Sequence, residues 1–294
     1  MMNELTKEPS GVLIVNKHAG VTSHDIVGKI RRLYGTRQVG HTGTLDPMAT
    51  GVLPVFVGRA TRGVEFFEHA EKTYEATLLL GTSTDTEDTS GTVLEEKEVH
   101  ISETEFLNIL PRFRGKIMQI PPMYSALKIN GQKLVDLARK GKIVERQPRE
   151  IEIFQLDCVE FSGKTARLRV RCSKGTYIRT LCKDIGDALG CGGCMAELRR
   201  IQAGEYTIEE SVPLQVLLDA EDPAQYLRSV DSMFRNYPAL TLSAKQEKCC
   251  RNGAAFSMQN DDGTYRCYSR EGEFLSLSKV ESGIMSTIKS FFEV

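Results

Sequence analysis

Asp46 stands in the stretch "GHTGTLDPMATGVLPV", Gly40 to Val55, on a glycine-rich turn that runs straight into an apolar strand. A turn uses some of these residues, but it has no need of a carboxylate where a buried strand is about to begin. A carboxylate held rigidly there can stabilise positive charge, add to an electrophilic carbon or take a proton, and all three roles require it ionised. Arg179, in "GTYIRT", is the residue type that keeps a desolvated carboxylate ionised, through a charge-assisted bond and a planar fork that lysine lacks. Tyr74, just after the Lys-Thr that opens another strand, is the third candidate. Each has an ordinary explanation in isolation. Aspartate before proline is a common turn former, and a tyrosine in a strand is commonly a core aromatic. Arginine near a helix start opposes the helix dipole, a local conflict that points to a functional reason.

The elements that must position these groups are legible from periodicity. "GVLIVNK" (Gly11–Lys17) reads as a buried strand. Ser23 reads as the cap of a helix with Ile26, Val27, Ile30 and Leu33 as its apolar stripe and Gly35 as its stop. "GVLPVFVG" and "TYEATLLLG" read as strands, with a helix between them near Arg62–Ala70. "TSTDTEDTSG" reads as a polar loop, and "SETE" as a capping box before a helix. "REIEIFQLDCVEF" and "TARLRVRC" are strands joined by "SGK"; "KGTYIRTLCKDIGDALG" turns into a helix ending at Gly190; "MAELRRIQAG" is one more strand. Beyond about Tyr237 a short helix with a glycine stop precedes a hairpin around "REGE".

The 294 residues carry a formal net charge of −1, which conceals a split. Glu65 to Glu105 holds twelve acidic residues against Lys72 and Lys97, whereas Arg112 to Arg149 holds ten Lys/Arg against Asp136 and Glu145. The basic stretch reads as a solvated loop or as a phosphate-binding arm, with a helical pattern from Lys133 to Arg139. No apolar run reaches membrane-spanning length and "MMNELTKEPSG" has no apolar leader, so a cytoplasmic location is expected. Eight cysteines in such a chain read as reduced thiols. Cys191 and Cys194 have the spacing that begins a zinc site, but no second pair completes four ligands. Neither GxGxxG, a P-loop, HExxH nor G-x-S-x-G is present, which removes the main support for nucleotide-cofactor folds and common hydrolases.

"VNKHAGVTSHDIV", "GHTGTLDPMATGVLPV", "GRATR", "KTYEATLLLGTSTDTEDTSG", "PPMYSALKINGQKLVDLARKG", "GTYIRTLCKDIG" and "ELRRIQAG" together resemble the bacterial tRNA pseudouridine-55 synthases, the TruB family, nearly from end to end. The resemblance implies isomerisation of one uridine in the T-loop of tRNA: N1–C1′ breaks, the held uracil turns, and C5 bonds to C1′. It implies Asp46 as the essential aspartate, Tyr74 stacked on the target base, Arg179 paired with the aspartate, His41 holding the loop open, and Leu198 flooring the pocket. Lys17 and Tyr177 match RNA-binding positions near the site. Breaking a C–N bond to a sugar creates positive charge at C1′, which suits an ionised carboxylate, and apolar walls keep water from the intermediate. No general base for C5 stands out; Tyr74 or a water is the expectation.

The expected fold is therefore α+β: a mixed, mainly antiparallel sheet with flanking helices and a central cleft. Residues 1–236 would form the catalytic domain, with a mobile basic insertion at about 121–149, and residues 237–294 a small β-rich, PUA-like C-terminal domain. The expected partner is tRNA alone, read chiefly by shape, with a monomeric enzyme that needs no cofactor, metal, membrane or obligatory protein. Two rivals remain: the catalytic subunit of a guide-RNA complex, which usually carries extended tails, and an RNA chaperone for which chemistry is incidental.

Overall fold

Gly11–Lys17 (β1) and Thr50–Val57 (β3) are apolar except for Asn16, Lys17 and Thr50 at their ends, because both faces are covered. In the computed structural model, which describes residues 8–293, their alternate side chains enter two different cores. Leu13, Val15, Leu53, Val55 and Val57 join Ile26 and Ile30 of α1 (Ser23–Leu33). Val12, Ile14, Val52 and Phe56 join Met233, Phe234, Leu277 and Phe291 from later in the chain. Fully burying side chains of this size contributes about 1.5–3 kcal/mol each. The start of "MMNELTKEPSG", up to Lys7, on which the expectation of no apolar leader partly rests, lies outside the described residues.

These strands belong to a ten-stranded sheet. Its path runs β14 (Val212–Pro213), β1, β3, β12 (Gly193–Ala203), β4 (Lys72–Leu80), β11 (Thr165–Cys172), β10 (Arg149–Phe161), β7 (Gly115–Gln119). β2 (Val39–His41) pairs with β3, and β13 (Tyr206–Thr207) with β12. Pairing is antiparallel except β1–β14 and β3–β12, so the expected mixed, mainly antiparallel sheet is borne out. β11 shows why one face is dry: Ala166, Leu168, Val170 and Cys172 are buried, while Arg167, Arg169 and Arg171 face water. Arg169 and Arg171 pair across strands with Glu75 at 2.7 Å and Glu71 at 2.8 Å; exposed pairs of this kind contribute at most about 1 kcal/mol. On the buried face lie α1, α2 (Glu103–Ile109) and α4 (Ile178–Ala188).

Three local expectations change. Thr22, not Ser23, caps α1: its backbone is extended, and it forms a reciprocal capping box with Asp25. Ser23 is the first helical residue, and its hydroxyl is committed elsewhere. The helix expected near Arg62–Ala70 is a 3₁₀ segment, Gly58–Phe67, in which two glycines and a β-branched Val64 disfavour an α-helix. The polar loop "TSTDTEDTSG" begins in strand, β5 (Thr82–Thr84), whose partner is β6 (Val93–Glu96). The basic insertion folds as a β8–β9 hairpin (Lys128–Ile129, Gln132–Lys133) leading into α3 (Leu134–Ala138), where the helical pattern was expected.

A connecting α5 (Leu214–Leu218) follows the large sheet. From Ala239 a second sheet takes over, ordered β15 (Ala239–Thr241), β17 (Gly263–Tyr268), β18 (Phe274–Glu281), β19 (Ile284–Ser290), β16 (Phe256–Ser257), with α6 (Ala244–Arg251) against it. It has a core of its own, including Leu242, Cys250, Leu275 and Val280.

Candidate active site

The loop between β2 and β3 carries Asp46, and almost every residue beside it is tied down. Arg200, fully buried on β12, donates from Nη2 to the Gly43 carbonyl at 2.9 Å and from Nε to that of Val52 at 2.8 Å. Ser23 Oγ accepts from the Leu45 amide at 2.9 Å and donates to the Leu45 carbonyl at 3.2 Å. Lys17 Nζ donates to the carbonyls of His18 and Pro47, each at 3.1 Å, and of Ala49 at 2.5 Å. The Gly20 amide adds a bond to Pro47 O at 2.9 Å. The carboxylate is thus carried on a backbone with several independent restraints, which fixes its direction.

Arg179 reaches it from the first turn of α4. Nε donates to Asp46 Oδ2 at 2.9 Å and Nη2 to Oδ1 at 3.2 Å, the fork-to-carboxylate geometry that only arginine supplies. The remaining donors are also directed: Nη1 to the Thr86 carbonyl at 3.0 Å, and Nη2 to that of Tyr124 at 2.8 Å. A second carboxylate, Asp88, stands 3.6 Å from Nε through Oδ2. Its other oxygen, Oδ1, accepts from the Thr86 hydroxyl and the Ser90 amide. These negative partners offset the conflict between a cation and the α4 N-terminus. The start of α4 is held as well: Gln119, on β7, accepts from the Tyr177 amide and donates to the Tyr177 carbonyl.

Tyr74 and Leu198 lie on neighbouring strands, β4 and β12, in the same core. Both are more than nine-tenths buried. Burial pushes the Tyr74 phenol above its ordinary pKa, with Arg200 opposing, so it stays protonated at neutral pH. Burial likewise raises Tyr177. His41 ends β2; burial lowers its pKa, with the Arg200 and His24 charges adding to this, and its Nδ1 has no hydrogen-bond partner. Lys17 does not face outward as an RNA-binding residue would. It has no exposed surface, and its ammonium is spent on three carbonyls beneath the Asp46 loop. Burial, with Arg200 adding to it and Asp46 opposing, brings its pKa down to about 8. Lys72 is brought to about 8 by burial first and Arg200 second.

Sequence reasoning missed Ser23's tie to Leu45, the strap from Arg200, and the Thr86, Asp88 and Tyr124 partners of Arg179. The signal for Asp88 was present in "TDTEDTSG", but acidic residues in a polar run read as solvated turn residues. Cys191 and Cys194 are buried thiols, the former donating to the Gly186 and Gly192 carbonyls. Among the described residues no three His, Cys, Asp or Glu side chains are grouped to hold a metal ion.

The chain as a whole has relatives. Residues 31–178 match the family model described as TruB family pseudouridylate synthase (N terminal domain), and residues 179–233 that of the tRNA pseudouridylate synthase B C-terminal domain. The boundary between the two models falls between Ile178 and Arg179, inside α4, although β12 beyond it inserts between β3 and β4 of the same sheet. The chain is 42% identical over 290 residues to tRNA pseudouridine synthase B of Francisella philomiragia, covering 97% of this chain and 95% of that one. It is 44% identical over 280 residues to the protein of that name from Dechloromonas aromatica, covering 94% and 93%. In fold it is similar to a chain of an H/ACA RNP bound to a substrate RNA containing 2′-deoxyuridine, with a TM-score of 0.71 at 23% identity, over 96% of this chain and 85% of that one.

Proposed function

The chain belongs to the TruB family of pseudouridylate synthases, and from that premise we propose that it isomerises uridine 55 in the T-loop of tRNA to pseudouridine, with Asp46 acting at the ribose of a flipped-out nucleotide. One observation carries this reading. The Asp46 side chain is 35% exposed while its bidentate partner Arg179 is 5% exposed. A buried guanidinium therefore steadies a carboxylate that still faces the surface, where a ribose can meet it.

The N1–C1′ bond breaks, leaving positive charge at C1′. Ionised Asp46 stabilises that charge, adds to C1′, or takes a proton from C2′; Arg179 supports each route by favouring the anion. The uracil turns, C5 bonds to C1′, C5 loses its proton and N1 gains one. Tyr74 stacks on the base and Leu198 floors the pocket, recovering part of the few kcal/mol that extrusion costs. Tyr74 or a water takes the C5 proton, and in the free protein burial favours the protonated phenol. His41 and Tyr177 contact the opened loop, whereas Lys17 serves the reaction by bracing Asp46 from below.

The basic segment 121–149 closes over the RNA through phosphate contacts. Residues 1–236 act as the catalytic domain and residues 237–294 as a PUA-like module for the remainder of the tRNA; the separate sheet and core of the latter support that division. The enzyme works as a monomer in the cytoplasm and without a cofactor. Among the described residues no helix is long and apolar enough to cross a membrane.

The test is tritium release from C5-labelled uridine in unmodified T-loop RNA. Asp46→Asn abolishes release while RNA binding stays within about tenfold, or about 1.4 kcal/mol. Release by Asp46→Asn at the wild-type rate would overturn the assignment. A chaperone role comes first if a strain carrying only Asp46→Asn keeps the full growth benefit.

A further inference from the structure

Among the described residues three non-glycines have a left-handed backbone: Glu87 at φ 64°, Asn130 at 50° and Ser282 at 51°. Asparagine is a frequent occupant of that region and a serine in a turn needs little comment, but a glutamate with no local reason is unusual. Glu87 also occupies a particular place. Thr86 on one side gives its carbonyl to Arg179, and Asp88 on the other faces Arg179 Nε.

We propose that Glu87 is a positioning residue: its carboxylate, accepting at 2.5 Å from the Thr180 hydroxyl next to Arg179, latches the Thr86–Asp88 turn onto α4 and so sets the guanidinium that steadies Asp46. The turn is held on its other side by β12. Met195 N donates to Glu87 O at 3.0 Å, and Thr89 N donates to Met195 O at 3.0 Å. The turn is thereby pinned to β12 by its backbone and to α4 by Arg179 itself and by the Glu87–Thr180 bond, the one tie to α4 that does not use the guanidinium. Burial raises the carboxyl pKa, opposed by Thr180, Lys183 and Arg179 and reinforced by Asp184, consistent with a group withdrawn from water for this contact. Backbone strain of this kind persists where surrounding structure enforces it, and often at functional sites.

The inference rests on the assignment of Asp46 above. Its test is steady-state tritium release by four variants. Glu87→Gln keeps an acceptor for Thr180 and retains the wild-type kcat. Glu87→Gly removes the latch while allowing the left-handed backbone freely, so it stays folded yet loses about tenfold in kcat, with KM for tRNA within about twofold. Thr180→Val repeats that loss, and the Glu87→Gly/Thr180→Val double variant adds nothing further. Wild-type kcat in folded Glu87→Gly, or a loss in Glu87→Gln equal to that in Glu87→Gly, overturns the latch. Asp46→Asn, run alongside, separates the two ideas: if it is inactive while Glu87→Gly is fully active, only the latch fails.

Discussion

Arg179 Nη2 divides its hydrogens between two distant parts of the chain, Asp46 Oδ1 at 3.2 Å and the Tyr124 carbonyl at 2.8 Å. The root of the basic insertion and the proposed catalytic carboxylate therefore share one nitrogen. Arg179→Lys keeps the charge but cannot hold Asp46 at two points and also reach Thr86 and Tyr124. We expect it to stay folded and to lose at least about 100-fold in kcat, equivalent to about 2.7 kcal/mol. Tritium release paired with circular dichroism measures both; wild-type kcat would remove the bidentate pair from the mechanism.

The insertion itself should respond to RNA. Most of its side chains are exposed, and Lys128, Lys133, Lys140 and Arg149 are among its outward-facing cations. Leu134 is an exception, buried where α3 begins. Limited proteolysis should cut within 121–149 in free protein and more slowly once tRNA is bound, with the protection fading at high salt as phosphate contacts are screened. Equal cutting with and without tRNA counts against the closing arm.

Gly51 marks where β3 passes close to β12. Its φ is 100°, and an added Cβ would lie 2.1 Å from the Arg200 carbonyl oxygen. Gly51→Ala should cost more than about 4 kcal/mol, because neither backbone can yield without moving the strap on the Asp46 loop. Gly35, which ends α1 at φ 63° with open space around it, makes the comparison. Gly35→Ala should cost only about 1–2 kcal/mol for the left-handed backbone. Urea titrations of the two variants check the order.

Alkaline pH should unfold the protein, and the sign follows from which groups titrate. Burial raises the thiols of Cys158, Cys172, Cys182, Cys194 and Cys267, with Cys172 pushed up to about 12 and Cys194 and Cys267 to about 11. The unfolded chain releases these protons near pH 8.5 while the folded chain keeps them, so stability falls above that pH. Lys17 and Lys72, lowered to about 8, act oppositely between about pH 8 and 10.4, but there are two of them against five thiols. The urea midpoint should therefore drop between pH 8 and 9.5; a rising midpoint would mean that the thiols are already ionised in the folded state.

Much of this was readable along the chain. The strand and helix periods, the Ser102–Glu105 capping box and the glycine stops at Gly35 and Gly190 are where they were expected. The residue types for the chemistry, Asp46 and Arg179, stood in recognisable motifs. These signals are local: turn chemistry and alternation act over a few neighbouring residues, so a short window contains their cause.

The tertiary structure decided the rest. It brought Asp46 and Arg179 together across 133 residues of chain. It turned Lys17 inward to brace the loop, gave the α1 cap to Thr22 because Ser23 serves Leu45, and drew Thr86, Asp88 and Tyr124 into the arginine's shell. A polar side chain makes its hydrogen bond only within about 3 Å and over a narrow range of angles. Which partner falls inside that range is set by how β3, β4, β12 and α4 pack together, and no stretch of sequence contains that packing by itself.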